Sequence, residues 1–163
     1  MGWTAPRTFV AGEVETAAIF NAHLRDNLNF LKSGVALSTE ITASSAAVSA
    51  ETVLATQAFT ADGSTLVAIE FTFNNLLKTV GTDNFLITLF DGATAGSGTQ
   101  LSAWASGNAS GTTSPGGYVR KVLTPSAGAH TYTARIIRNA GTGTGQVFAA
   151  STSPMNLTVG QVN

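Results

Sequence analysis

The sequence predicts a mainly β protein: an N-terminal extended arm and one α-helix, followed by a jelly-roll-like antiparallel β-sandwich. Three observations point there. From Thr52 onward, short runs of alternating apolar and polar residues are separated by turn clusters rich in Gly, Ser, Thr and Pro. Only one stretch, Ala17 to Lys32, carries apolar residues at helical spacing. Hydrophobic residues make up 44% of the 163, enough for a core, while charged residues make up only 10%. That charge content is far below the roughly 25% of ordinary soluble proteins.

Length fits one domain with an appendage, divided as 1–34 (arm and helix, for attachment or trimerisation), 35–51 (connecting strand or linker) and 52–163 (β-sandwich). The low charge leaves much weakly polar surface on a lone subunit, which favours an oligomer. A net charge of -1 gives no general attraction to nucleic acid or to an anionic membrane. There is no cysteine, hence no disulfide and no thiolate metal site. No run of about 18 apolar residues marks a transmembrane helix. The N-terminus lacks a basic region followed by an apolar block, so no secretory signal is expected and assembly in a cytoplasm is.

In the arm, Pro6 holds Ala5 in an extended conformation, and Trp3, Phe9 and Val10 need a surface to bury against. That surface is either their own subunit or another chain. Thr16 is a suitable N-cap for a helix over Ala17–Lys32, stopped near Gly34. Ala17, Phe20, Leu24, Leu28 and Leu31 form one apolar stripe. It must pack on the sandwich or on copies of itself around a threefold axis, with Asn27 placed to fix register. His23 reads as a solvated or hydrogen-bonded helix residue rather than a ligand.

Val35, Leu37 and Ile41 alternate as in a strand, and the Ser/Ala-rich stretch after them is a linker or an edge strand. The further strands expected are Val53–Phe59, Thr65–Phe73, Asn84–Phe90, Gln100–Ala105, Tyr118–Leu123, His130–Ile137, Gln146–Ala150 and Met155–Val159. In the second of these, Val67, Ile69, Phe71 and Phe73 share one face. In Asn84–Phe90 both alternating sets are apolar, so burial on both faces is expected, by the core and by a neighbouring subunit or helix. The TPSAGA turn reads as a hairpin that would set Tyr118 opposite Arg135 and Lys121 opposite Tyr132.

All nine acidic residues lie at or before Asp91, and after it the charges are Arg120, Lys121, Arg135 and Arg138. They form either a basic face or ordinary solvated strand positions. No residue cluster suggests catalysis. The two histidines sit in unrelated contexts, metal ligands are too few, and no serine lies in a nucleophile elbow. No catalytic residue, metal or cofactor is expected. The Gly141–Gly145 run has the composition of a phosphate loop without its Lys or its helix. Trp104 and Tyr118 flank a polar Gly/Ser/Thr loop, as aromatics do in sugar sites. They are candidates for a surface ligand, with a core or interface position the alternative for Trp104.

The N-terminal residues carry a resemblance. Trp3-Thr4-Ala5-Pro6-Arg7-Thr8-Phe9-Val10-Ala11-Gly12-Glu13, Thr16-Ala17-Ala18, Asn21-Ala22-His23-Leu24-Arg25-Asp26-Asn27-Leu28 and Leu31-Lys32 resemble a leader, W-T-x-P-R-T-W, of tailed-bacteriophage virion proteins. Those are minor tail proteins, head fibres or short fibres. This chain has Phe9 where Trp is usual and keeps an aromatic anchor. The run G-A-H-T-Y-T-A-R and the later S-P-M-N-L-T-V are similar to the jelly-roll domains of trimeric phage fibres and decoration proteins. The resemblance implies a non-enzymatic, homotrimeric virion component. It would be attached to capsid or tail proteins through Trp3, Pro6, Arg7 and Phe9 and aligned through Phe20, Leu24, Leu28 and Leu31. A receptor-binding or carbohydrate-binding module contacting host surface glycan is the alternative.

Overall fold

Val67, Ile69, Phe71 and Phe73 fall on one side of an extended chain, and all four are buried. Their strand is the centre of the molecule. The computed structural model describes residues 12, 14, 16–25, 36–106 and 112–162. Nine strands are found among them: β1 Leu37–Ile41, β2 Thr52–Ala61, β3 Val67–Lys78, β4 Asn84–Asp91, β5 Thr99–Ala105, β6 Thr113–Leu123, β7 Gly128–Ala140, β8 Gly145–Phe148 and β9 Met155–Gln161. The strands expected from alternation are all present.

Every pairing of these strands is antiparallel. One sheet has the order β1-β9-β3-β6, with β8 also on β3, and the other has β2-β7-β4-β5. The pairs β1·β9, β2·β7, β3·β6 and β4·β5 are nested about the β4–β5 connection. The chain is therefore one long two-stranded ribbon, rolled so that β9 meets β3 and β7 meets β4. This is a jelly roll. The long β3 takes two partners in turn on one side, β9 along Val67–Thr72 and β8 along Asn75–Lys78.

The core lies between the sheets. From β3 it takes Ile69, Phe71 and Leu76, from β4 Phe85, Ile87 and Leu89, and from β7 Tyr132, Ala134 and Ile136. Burying side chains of this size stabilises by about 1.5–3 kcal/mol each. Trp104 on β5 packs edge-on against Phe73, with ring centroids 5.0 Å apart.

Several expectations change. The TPSAGA turn is not a hairpin. β6 and β7 belong to different sheets, so the turn is a crossing between them. Tyr118 stands opposite Thr72 and Lys121 opposite Ile69, while Arg135 and Tyr132 pair with β2 and β4. The alternating pattern had fixed which face each side chain takes, but not which strand it meets. β6 also starts at Thr113, inside the stretch expected to be loop, and contains Pro115. A sheet tolerates proline there because β6 is an edge strand. Gly116 lies so close to β3 that a Cβ would run into the carbonyls of Phe73 and Asn74.

The two-sided burial of β4 is real in part within the single chain. Phe85, Ile87 and Leu89 face the core, and Thr88 on the other side is buried too. Leu86 and Phe90 are half-buried. On the outer side the Arg135 guanidinium lies 3.9 Å from the centre of the Phe90 ring.

The stretch after β1 follows the sheet edge. Ser45 N donates to Val147 O (3.0 Å), and Val48 and Gly145 exchange backbone bonds of 2.8 Å. The hydroxyls of Ser44 and Ser45 accept from Ala149 N and Val147 N, at 3.1 and 3.0 Å. Serine side chains thus replace ladder carbonyls where the backbone is irregular.

At the N-terminal side, Thr16 caps a helix as expected, its hydroxyl accepting from Ile19 N at 3.3 Å. The regular helix α1 covers only Ala17–Phe20, and Asn21–Arg25 continues as a π-helix. The step changes where Asn21 N–H is shared between the carbonyls of Ala17 and Ala18. Residues 26–32 of the expected helix lie outside the described residues.

Tyr132 offers a test of the core. It is fully buried, and its Oη has no hydrogen-bond partner among the described residues. An unpaired buried hydroxyl costs about 1–3 kcal/mol. Tyr132→Phe keeps the ring and removes that cost, so it is expected to raise stability by about 1 kcal/mol in urea unfolding. A clear loss of stability would show that the hydroxyl is paired.

Candidate functional site

The stripe Phe20–Leu24 is the first candidate, and it is exposed. Phe20 keeps 55% and Leu24 44% of their surface in this single chain, and Val14 before them keeps 85%. Leu28 and Leu31 of the same stripe lie outside the described residues, as do the docking candidates Trp3, Pro6, Arg7 and Phe9.

The two aromatic candidates for a surface ligand are not brought together. Trp104 is half-buried on the inner side of β5, against Phe73 and over Gly117, which is the packing alternative read from sequence. Tyr118 is on the outer face of β6 and 52% exposed. Its hydroxyl donates to Glu70 Oε1 at 2.9 Å. Arg120 Nε pairs with the same oxygen at 2.6 Å. Tyr118, Glu70 and Arg120 form a small polar platform with the Tyr ring tied down at its tip.

Two positions that sequence reading did not take as sites are more elaborate. The first is Arg135, which alternation places on the outer face of β7 yet is fully buried. Nη1 donates to Glu51 Oε1 (2.6 Å), Nε to Thr133 Oγ1 (2.8 Å) and Nη2 to Gly92 O (2.9 Å). Thr133 Oγ1 itself donates to Gly92 O at 2.9 Å. The guanidinium therefore ties the β4–β5 turn and the residue before β2 onto the sheet. The hydrogen bond from Arg135 holds the Glu51 carboxyl below its ordinary 4.5.

The second is at the end of the sandwich where β4 finishes and β7 begins. His130 Nδ1 lies 2.7 Å from Asp91 Oδ2, and Nε2 lies 2.9 Å from Ser126 O and 3.4 Å from Ser126 Oγ. The order carboxylate, imidazole, hydroxyl is that of a nucleophilic triad. The hydroxyl is its weak member. A general base must turn the Nε2 lone pair to the hydroxyl, whereas the closer carbonyl requires an N–H at that nitrogen. As it stands, the group ties the chain together and does not activate Ser126.

Three of the four cations of the second half are engaged within the chain. Arg135 meets Glu51, Arg120 meets Glu70, and Arg138 Nη1 donates to Gly143 O at 2.8 Å. The Gly141–Gly145 run does bind an anion, but one of its own. The buried Asp83 carboxylate accepts from Thr142 N (3.1 Å) and Gly143 N (2.6 Å). Gly141 has φ +103°, and a Cβ there would strike the same carboxylate. Among the described residues no three His, Cys, Asp or Glu side chains come together as a metal site. Among them no helix is long and apolar enough to cross a membrane.

The Arg135 cluster gives a stability test. Arg135→Ala takes from Glu51 its side-chain donor and leaves Gly92 O with the Thr133 hydroxyl alone, and breaking a buried pair costs about 3–5 kcal/mol. Glu51→Gln keeps an oxygen facing Arg135 and is expected to cost clearly less. Because the Glu51 carboxyl sits below 4.5 in the folded chain, its contribution is present above that value and fades as pH falls through the lowered range. Urea unfolding of both variants at neutral and acid pH measures this, and equal losses for the two would refute it.

Comparison with known proteins gives no matching family model and no matching curated protein. Among solved structures, the chain is similar to a chain in the structure of infectious bursal disease virus, Gx strain. The identity is 15%, the TM-score 0.34, and the match covers 79% of this chain and 40% of that one. The chain thus spans 40% of the length of that protein, and the likeness is too shallow to assign a function.

Proposed function

We propose that this chain is a non-enzymatic structural component of a tailed phage particle. In this reading it is a homotrimeric surface fibre or decoration protein, attached to capsid or tail through residues 1–34, with the jelly roll projecting outward. The observation that carries it is the contrast between a β domain that fills its own core and an apolar helix stripe left exposed beside it. Large apolar groups gathered on one exposed helix face call for a partner surface. The leader from Trp3 to Leu31, with its resemblance to phage virion proteins, supplies the kind of partner. The jelly roll itself is shared by capsid and lectin domains, so the fold permits this function without choosing it.

A second reading is a glycan-binding module. It is favoured by Tyr118, whose exposed ring is held on the sheet by Glu70 beside Arg120. An amphipathic ring with hydrogen-bonding neighbours suits a sugar face.

Removing residues 1–34 separates the two. The truncated chain is expected to keep its β-sheet circular dichroism and cooperative unfolding, to lose the trimeric mass of the full chain, and to fail to join particles. A truncated chain that still assembles would sink the attachment reading. Binding of the full chain to a glycan array, lost in Tyr118→Ala, would instead favour the second.

A further inference from the structure

The crossing Thr124–Ala127 between β6 and β7 has no regular structure, yet it closes one end of the sandwich. Its neighbour is the turn after β2, so close that a Cβ on Gly63 would lie 2.9 Å from Ala127 N. What ties the crossing to the sheet is His130. Both short contacts of its ring are to atoms that only accept: the Asp91 carboxylate at Nδ1, 2.7 Å, and the Ser126 carbonyl at Nε2, 2.9 Å. A neutral imidazole carries one N–H. Both bonds therefore exist together only in the imidazolium form. The ring is stacked on Tyr132, centroids 5.7 Å and planes 5° apart, which keeps its plane along this line of contacts.

We propose that His130 is an acid-closed latch. As an imidazolium it joins Asp91 at the end of β4 to the Ser126 carbonyl. On losing its proton it keeps only one of the two, which frees the Thr124–Ala127 crossing and the Gly63 turn packed on it.

The groups around the ring leave the titration to His130. From β4 comes Asp91, the counter-charge. From β7 comes Tyr132, whose phenol is pushed up to about 12 by burial and then by Asp91, so it stays neutral throughout. β2 places Phe59 opposite His130 in register, and Ser126 does not ionise in this range. Asp62, just beyond β2, has its carboxylate taken up by Ser64 N, Thr65 N and Thr65 Oγ1 at 2.8, 2.8 and 2.7 Å. The Ser126 carbonyl first, and Asp91 second, hold the imidazole above its ordinary 6.5. The sign follows: the latch is fully closed below 6.5 and opens as pH rises through the raised value.

The test uses the full chain. Imidazole NMR across the neutral range is read beside amide hydrogen exchange of Ser126 to Gly128, expressed as protection relative to the unfolded chain. The latch requires that His130 keep both ring protons above pH 6.5 and that protection fall through the same midpoint. Asp91→Asn is expected to lower that midpoint, and His130→Gln to abolish the pH dependence of protection. A midpoint at or below 6.5, or protection that does not change across it, overturns the proposal. So does the same pH-dependent loss in a folded His130→Gln variant.

Discussion

The structure depends on one constraint: the first half of the chain must find the second half. Each of the nested pairs β1·β9, β2·β7, β3·β6 and β4·β5 joins a strand from before the β4–β5 turn to one from after it. The closing contacts are correspondingly distant in sequence, with β1 meeting β9 from Leu37↔Val159 to Ile41↔Met155. Loop closure must precede most of the pairing, which is the condition that makes such β topologies slow to fold. The charge pattern follows the same constraint. Acidic residues stop at Asp91 and the second half is basic, and the folded ion pairs Glu51–Arg135, Glu70–Arg120 and Asp91–His130 each span the two halves. What looks like segregation along the chain is complementarity across a ribbon.

The ribbon is then held shut by few polar devices. Arg135 pins the β4–β5 turn, where the ribbon reverses, through Gly92 O. It reaches back through Glu51 to the start of β2. His130 and Asp91 pin the crossing that carries the chain from one sheet to the other. Asp83 and Lys78 close the opposite end. Lys78 Nζ donates to the carbonyls of Gly81 and Asp83 at 2.8 and 3.1 Å, while the Asp83 carboxylate gathers the Gly141–Gly145 turn. A chain with so little charge places much of what it has at reversals and crossings, where backbone groups have no strand partner.

These facts explain what was legible in the sequence. A period of two shows up wherever one face is buried, so Val67 to Phe73 and the strands after it could be placed from residues alone. Partners could not, because a turn such as TPSAGA has the same composition whether it reverses within a sheet or crosses between sheets. Tyr118 and Trp104 lie 14 positions apart and flank one loop, yet inner and outer faces separate them. For the roles of Arg135 and His130 there was no local signal. Their partners Glu51 and Asp91 are brought to them only by the β2·β7 and β4·β7 pairings.

The sheet edges bear on how such a domain associates. An open edge is a template for strand addition unless something blocks it. Here each edge strand carries an obstacle. β6 has Pro115 within it and Lys121 exposed along it, and β1 is only five residues long and carries Glu40. β2 has a register shift between Val53 and Ala55, and β5 has one opposite Leu89 and Phe90. Bulges, charges, proline and short length are the ordinary means of keeping edges from pairing. Copies of this chain are thus discouraged from joining edge to edge, while the exposed Phe20 and Leu24 stay available. An oligomer built through the N-terminal helix would leave every jelly roll with its own hydrogen bonds intact.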